Sequence, residues 1–159
     1  MSRVSAARIK NQSGLTLIEL IVAFTILLTL TAMAVPMAQY KVKREKEKDL
    51  RIALAEMRKA IDKYKDMADA GQLGQMGSDN YPERLDVLVE GIELAQSAEG
   101  KKIRFLRRIP KDPFTNSYEW GLRATQDDPK SMSWGGQNVF DVYSKTMEKA
   151  ADGTPYSEW

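Results

Sequence analysis

Neither cysteine nor histidine occurs in the 159 residues. Without cysteine no disulfide can brace the fold, and no thiol can act as nucleophile or soft metal ligand. Without histidine, triads with an imidazole base are excluded, as are the commonest zinc sites. Carboxylate or lysine chemistry stays open in principle, but no catalytic cluster, paired carboxylates or Gly-rich phosphate loop stands out, and the chain reads as a non-enzyme. Net charge is scarce too. The 24 basic and 22 acidic residues leave +2. Residues 1–14 hold Arg3, Arg8 and Lys10 and no acid, so the remainder is near −1. The basicity belongs to the N-terminus and says little about nucleic acid.

What is present begins with one long apolar run. Residues 15–38 read LTLIELIVAFTILLTLTAMAVPMA, with Glu19 as the only charge. As a helix this run is long enough to cross a hydrocarbon core of about 30 Å. An ordinary signal anchor has the same outline. A cleaved secretory signal would be cut beyond the run, where Ala32 and Ala34 give a weak A-x-A-like match. Glu19 counts against both, because an acid inside an apolar segment is costly and usually functional. Orientation is ambiguous by charge: three basic residues precede the run, but Lys41, Lys43, Arg44, Lys46, Lys48 and Arg51 follow it.

Helical patterning continues past the run. Leu50, Leu54, Met57, Ile61, Tyr64 and Ala68 alternate spacings of four and three, which predicts a single apolar stripe. One helix is expected from about Leu15 to Ala70, roughly 80 Å long if straight, stopped near Gly71. Pro36 should kink or weaken it by removing a backbone donor. The stripe is expected to pack on its own head, the alternative being a short dimeric coiled coil. Residues 71–81 read as a loop, and Pro82 as the first turn of a short helix that faces Leu85 and Leu88 inward. Residues 91–100 read as a loop or frayed helix. Residues 117–123 and 138–144 read as the strands of a long-looped antiparallel hairpin. The stretch from Lys101 to Arg108 mixes basic and apolar residues; a partly buried segment with snorkelling cations is expected rather than a nucleic-acid surface.

The decisive residues are Gly14-Leu15-Thr16-Leu17-Ile18-Glu19, placed between a short basic leader and the apolar run. This arrangement resembles the leader region of type IV prepilins and of the pseudopilins of type II secretion. Pro36 falls where such proteins commonly have a proline. One departure is Leu15, since phenylalanine is the usual first mature residue. The likeness extends into the C-terminal half through Tyr81-Pro82, Ile109-Pro110-Lys111-Asp112-Pro113-Phe114, Asn116, Tyr118 and Phe140-Asp141-Val142-Tyr143-Ser144. These resemble the major (G-type) pseudopilin, with a variable insert around residues 90–104. The Pro-Lys-Asp-Pro block itself reads as a rigid turn that sets the start of a strand.

The resemblance implies an α+β, type IV pilin-like fold: a long N-terminal helix, half membrane and half amphipathic, on a small antiparallel sheet. It implies a leader of residues 1–14 cut after Gly14 by a prepilin peptidase, N-methylation of Leu15, and assembly roles for Glu19 and Pro36. It divides the rest into a transmembrane and assembly helix, residues 15–38, and a periplasmic head, residues 39–159. The implied partners are further copies in a helical filament, minor pseudopilins, and an inner-membrane assembly platform with a cytoplasmic ATPase. The filament would sit in the periplasm and drive protein export. The alternative is a surface type IV pilus for adhesion, motility or DNA uptake, against which the lack of cysteine argues mildly. Such proteins often bind calcium in their last loop. Here residues 144–159 offer only Asp152 and Glu158, with Glu148 farther off, so Asp152 is a weak candidate and aromatic closure by Tyr156 and Trp159 is the competing expectation.

Overall fold

The computed structural model describes residues 16–96 and 100–159, apart from the side chains of residues 33–36. The fold is α+β: helix α1 (Leu17–Asp69), a short α2 (Val87–Glu90), and two antiparallel two-stranded ladders. β1 (Ile92–Glu93) pairs with β2 (Lys102–Ile103), and β3 (Gly121–Arg123) pairs with β4 (Asp141–Tyr143). The described residues divide into two compact units that meet in sequence at Val42 and Lys43.

The stop of α1 is built by backbone geometry. Gly71 takes φ +67°. Its N–H reaches the carbonyl of Ala68 at 2.9 Å, and that of Gln72 reaches Met67 at 3.0 Å. This pairing caps two of the last carbonyls in the Schellman manner, for which glycine is favoured because it lacks a Cβ. α1 continues through Pro36. Only one bond, to the carbonyl of Ala32, is lost.

In the C-terminal unit, the stripe of α1 forms one wall of the core. Leu50, Leu54, Met57, Ile61, Tyr64 and Ala68 are all buried, together with Leu73, Leu85, Leu88, Leu106, Trp120, Val139, Val142 and Tyr156. A stripe covered this completely by its own head leaves no seam for a coiled coil. Leu85 and Leu88 face inward as expected, but the helix beside them starts at Val87 rather than at Pro82. Pro82 serves another purpose: its carbonyl accepts from the N–H of Val139 at 2.8 Å. β1 occupies residues expected to be loop or frayed helix, and β2 opens the mixed basic and apolar stretch. From Lys101 to Arg108 the cations are exposed while Leu106 is buried and Ile103 and Phe105 pack against the core.

The Pro-Lys-Asp-Pro block is a turn organised by Asp112, which is fully buried. Its carboxylate accepts from the N–H of Phe114 at 2.8 Å, from that of Thr115 at 3.3 Å and from the Ser144 hydroxyl at 2.6 Å. The carbonyl of Pro110 accepts from the Trp120 indole at 2.9 Å. The turn is thereby tied to the residue after β4 and to the residue before β3. Across the ladder, the ring of Tyr143 lies over Gly121, where an added Cβ would come within 2.2 Å of it.

The tail closes by aromatic packing over residues 43–51 of α1, the stem of the C-terminal unit. Tyr156 is buried, stacked on Phe114 at 4.3 Å between centroids, with Trp159 edge-on at 4.8 Å. The basic residues of the stem serve this closure. Lys43 donates to the carbonyl of Lys149 at 2.7 Å. Lys46 lies over Phe114 at 5.6 Å, and the Arg51 guanidinium over Trp159 at 4.2 Å. The Tyr156 hydroxyl donates to Glu47 at 2.7 Å. Several of the cations that blur the orientation signal are therefore structural in the head.

Candidate membrane and assembly site

Thr16 and the first turns of α1 define the site. Thr16 precedes the helix, Glu19 lies in its first turn, and the carbonyl of Thr16 accepts from the N–H of Leu20 at 3.1 Å. The Thr16 hydroxyl also accepts from the backbone N–H of Glu19, a long contact at 3.4 Å. Thr16-Leu17-Ile18-Glu19 is thus the S/T-x-x-E pattern of a helix start, a local signal the sequence reading overlooked. Glu19 is placed where the unpaired N–H groups of the first turn make a partial positive charge. The carboxylate therefore has a structural reason to be near this end, besides any partner it meets elsewhere.

From Leu17 to Leu30 the helix shows apolar side chains on every face. Leu17, Ile18, Leu20, Ile21, Val22, Phe24, Ile26, Leu27, Leu28 and Leu30 are all exposed. The segment is long and apolar enough to cross a membrane, and none of it is buried by the described residues. Its threonines do not spoil that character. Thr25 donates to the carbonyl of Ile21, Thr29 to Ile26 at 2.8 Å and Thr31 to Leu27 at 2.7 Å. A hydroxyl that returns to its own helix leaves no unsatisfied donor for lipid to face. Gly14 and Leu15 lie outside the described residues, as does the side chain of Pro36.

The other sequence candidate, Asp152, sits in the turn before the tail. Its carboxylate accepts from the N–H of Thr154 at 2.9 Å, and this bond holds its pKa below the usual carboxylate range. Glu158 pairs with Lys130 at 3.4 Å. Among the described residues, no group of three acidic side chains converges as a metal cluster would. Two residues that reasoning from sequence did not single out organise this region, Arg58 on α1 and Arg123 on β3. Arg58 is half-buried and Arg123 almost fully buried, and both pair with Asp141. A buried arginine leaves no periodic trace, since any Arg on a helix or strand is first read as solvated.

Residues 9–35 match the prokaryotic N-terminal methylation motif. That span contains Gly14, Leu15 and Glu19 and ends one residue before Pro36. The N-terminal end of this chain is therefore type IV prepilin-like. Such a motif implies peptidase processing and filament assembly in general, in proteins whose role is structural, and the exposed apolar helix fits membrane anchoring. No curated protein and no solved structure matches the chain.

Proposed function

We propose that the chain is a pseudopilin: a structural subunit that leaves the inner membrane to polymerise into a periplasmic filament for type II secretion. A prepilin peptidase removes residues 1–14 after Gly14, and Leu15 is then N-methylated. Residues 15–38 hold the subunit in the membrane with residues 39–159 in the periplasm. Minor pseudopilins and an assembly platform driven by a cytoplasmic ATPase complete the machine. One observation carries this reading. The segment that matches the methylation motif is also an uncovered apolar helix with a single carboxylate in its first turn.

The chemistry follows from cutting before the apolar run rather than after it. The anchor is retained, and Leu15 acquires an amine whose ordinary pKa is about 7.7–8.0, mostly cationic at neutral pH. Glu19 lies one helical turn away, so it can pair with its own amine or with that of an adjacent subunit. The second pairing fixes the axial stagger between copies. Glycine at the cut presents an uncrowded, extended site to a peptidase at the membrane face.

Mass spectrometry of the chain purified from membranes tests the reading. The expected mature protein starts at N-methylated Leu15, and Gly14→Ala leaves the precursor uncut or slowly cut. A mature N-terminus near Val35 would identify a secretory signal, and an intact Met1 with the wild-type leader would identify a plain anchor. Either result overturns the proposal.

A further inference from the structure

A calcium ion in the last loop would need six to eight oxygen ligands at about 2.3–2.6 Å. The oxygens that converge on the tail are already engaged by nitrogen donors. Arg58 donates from Nε to Asp141 Oδ1 at 2.7 Å, and from one terminal nitrogen to Asp141 Oδ2 at 3.3 Å. The same nitrogen reaches the backbone oxygens of Val142 at 3.2 Å and Trp159 at 2.6 Å. Arg123 approaches the same carboxylate from β3. It donates to Asp141 Oδ2 at 3.5 Å, to the carbonyl of Ser131 at 3.1 Å and to that of Ser157 at 2.9 Å. Two guanidinium groups thus face one carboxylate and four backbone oxygens, drawn from the β3–β4 loop, β4 and the tail.

A divalent cation does not fit there. It would stand against two fixed positive charges, one of them 5 % exposed and stacked at 4.2 Å over the Tyr143 ring. Removing either arginine from a half-buried carboxylate would leave charge and carbonyls unpaired. Of the remaining acids of the loop, Asp152 caps its own turn, Glu158 pairs with Lys130, and Glu148 stands exposed at the surface. The Lys149 carbonyl is taken by the Lys43 ammonium.

We infer that the tail of this head is fastened by Arg58 and Arg123 acting through Asp141, in place of a bound calcium ion. The clamp joins α1, β3, β4, the loop between the strands and the last turn, Tyr156–Glu158, through charge-assisted bonds that need no exchangeable ligand. Folding of the head is accordingly independent of calcium. This inference concerns the C-terminal unit alone and does not depend on the filament reading.

Hydrogen exchange read by mass spectrometry on the full chain in detergent micelles tests it, with calcium chloride in one arm and a chelator in the other. Protection of peptides covering residues 145–159 is expected to be the same in both arms. Arg123→Met should lower that protection at least about tenfold, as expected for losing charge-assisted bonds, with no recovery on adding calcium. Arg58→Gln, at a half-exposed position that water can reach, should lower protection of the last turn alone. Loss of wild-type protection in chelator would overturn the inference, as would calcium rescue of Arg123→Met. So would an unchanged tail in Arg58→Gln, which decides the matter even where Arg123→Met does not fold.

Discussion

The structure gives two carboxylates, Glu19 and Asp112, opposite settings. Asp112 is sealed in the head, where its two oxygens accept from Ser144, Phe114 and Thr115. Asp112→Ala strands those donors, each at about 1–3 kcal/mol when buried. Asp112→Asn keeps one acceptor and lets the Ser144 hydroxyl rotate to accept instead. Thermal melting of the full chain in detergent should therefore rank wild type above Asn and Asn above Ala; equal melting of all three would remove Asp112 from the architecture. Glu19 instead stands exposed at the start of the apolar first half of α1, which no described residue buries. On the proposed reading, Glu19→Gln leaves membrane insertion intact or improved, since a charge at mid-helix costs about 2.5–3.5 kcal/mol on insertion scales and less near an end. Filament assembly should fail or weaken, because the Leu15 amine loses its charged partner on leaving lipid. Shearing or crosslinking of cells that overproduce each form reads the difference. Wild-type filaments from Glu19→Gln, with normal leader cleavage, would exclude an assembly role for this carboxylate.

Among the elements, α1 was the most legible in sequence, because a stripe spaced by four and three over many turns has few other solutions. The stripe's depth is testable against the opposite face of the same helix. Leu54 is 2 % exposed and Ile52 55 % exposed. Leu54→Ala should cost about 2–5 kcal/mol through the cavity it leaves, while Ile52→Ala should stay within about 0.5 kcal/mol. Comparable losses at both positions would mean that the outer face is covered too. The β3–β4 hairpin was also legible, from aromatic and β-branched residues on either side of a turn-rich stretch, although its paired portion is shorter than the pattern suggested. β1 and β2 were not legible, and the reason is physical. A two-residue strand cannot display a period of two, and β1 is also held from outside the pair, by the Gly74 N–H on the carbonyl of Glu93. Of the site, the motif from Gly14 to Glu19 was readable because it is local in sequence. The arginine clamp was not, since Arg58 lies more than eighty residues from its acceptors, and Arg123 draws on a loop, a strand and the tail.

At the scale of the whole molecule, the missing histidines and cysteines set the pH response. No side chain of either type is present to titrate near neutrality, where histidine ordinarily does. The shifted groups lie on the two flanks instead. Asp69, Asp127 and Asp152 have carboxyl pKa values lowered chiefly by hydrogen bonds: to the Lys65 ammonium, to the N–H groups of Ala124 and Gly135, and to that of Thr154. A carboxyl held lower in the folded than in the unfolded chain contributes stability above the unfolded pKa, and loses it as pH falls through the folded one. Tyr64 and Tyr156 are shifted the other way, both raised above the usual phenol range chiefly by burial, Tyr156 further by its bond to Glu47. A phenol raised in the folded state contributes its stability below the unfolded pKa of about 10, and loses it as pH climbs toward the folded value. The melting temperature of the full chain in detergent should thus be flat from roughly pH 5.5 to 9 and fall on both sides. Tyr156→Phe separates the flanks. It should lower stability at neutral pH by about 0.5–1.5 kcal/mol, through loss of the bond to Glu47, and flatten the alkaline fall while leaving the acid limb unchanged. An inflection between pH 6 and 8 in the wild type, or an alkaline limb as steep in Tyr156→Phe as in the wild type, would show that other groups govern the fold's response to pH.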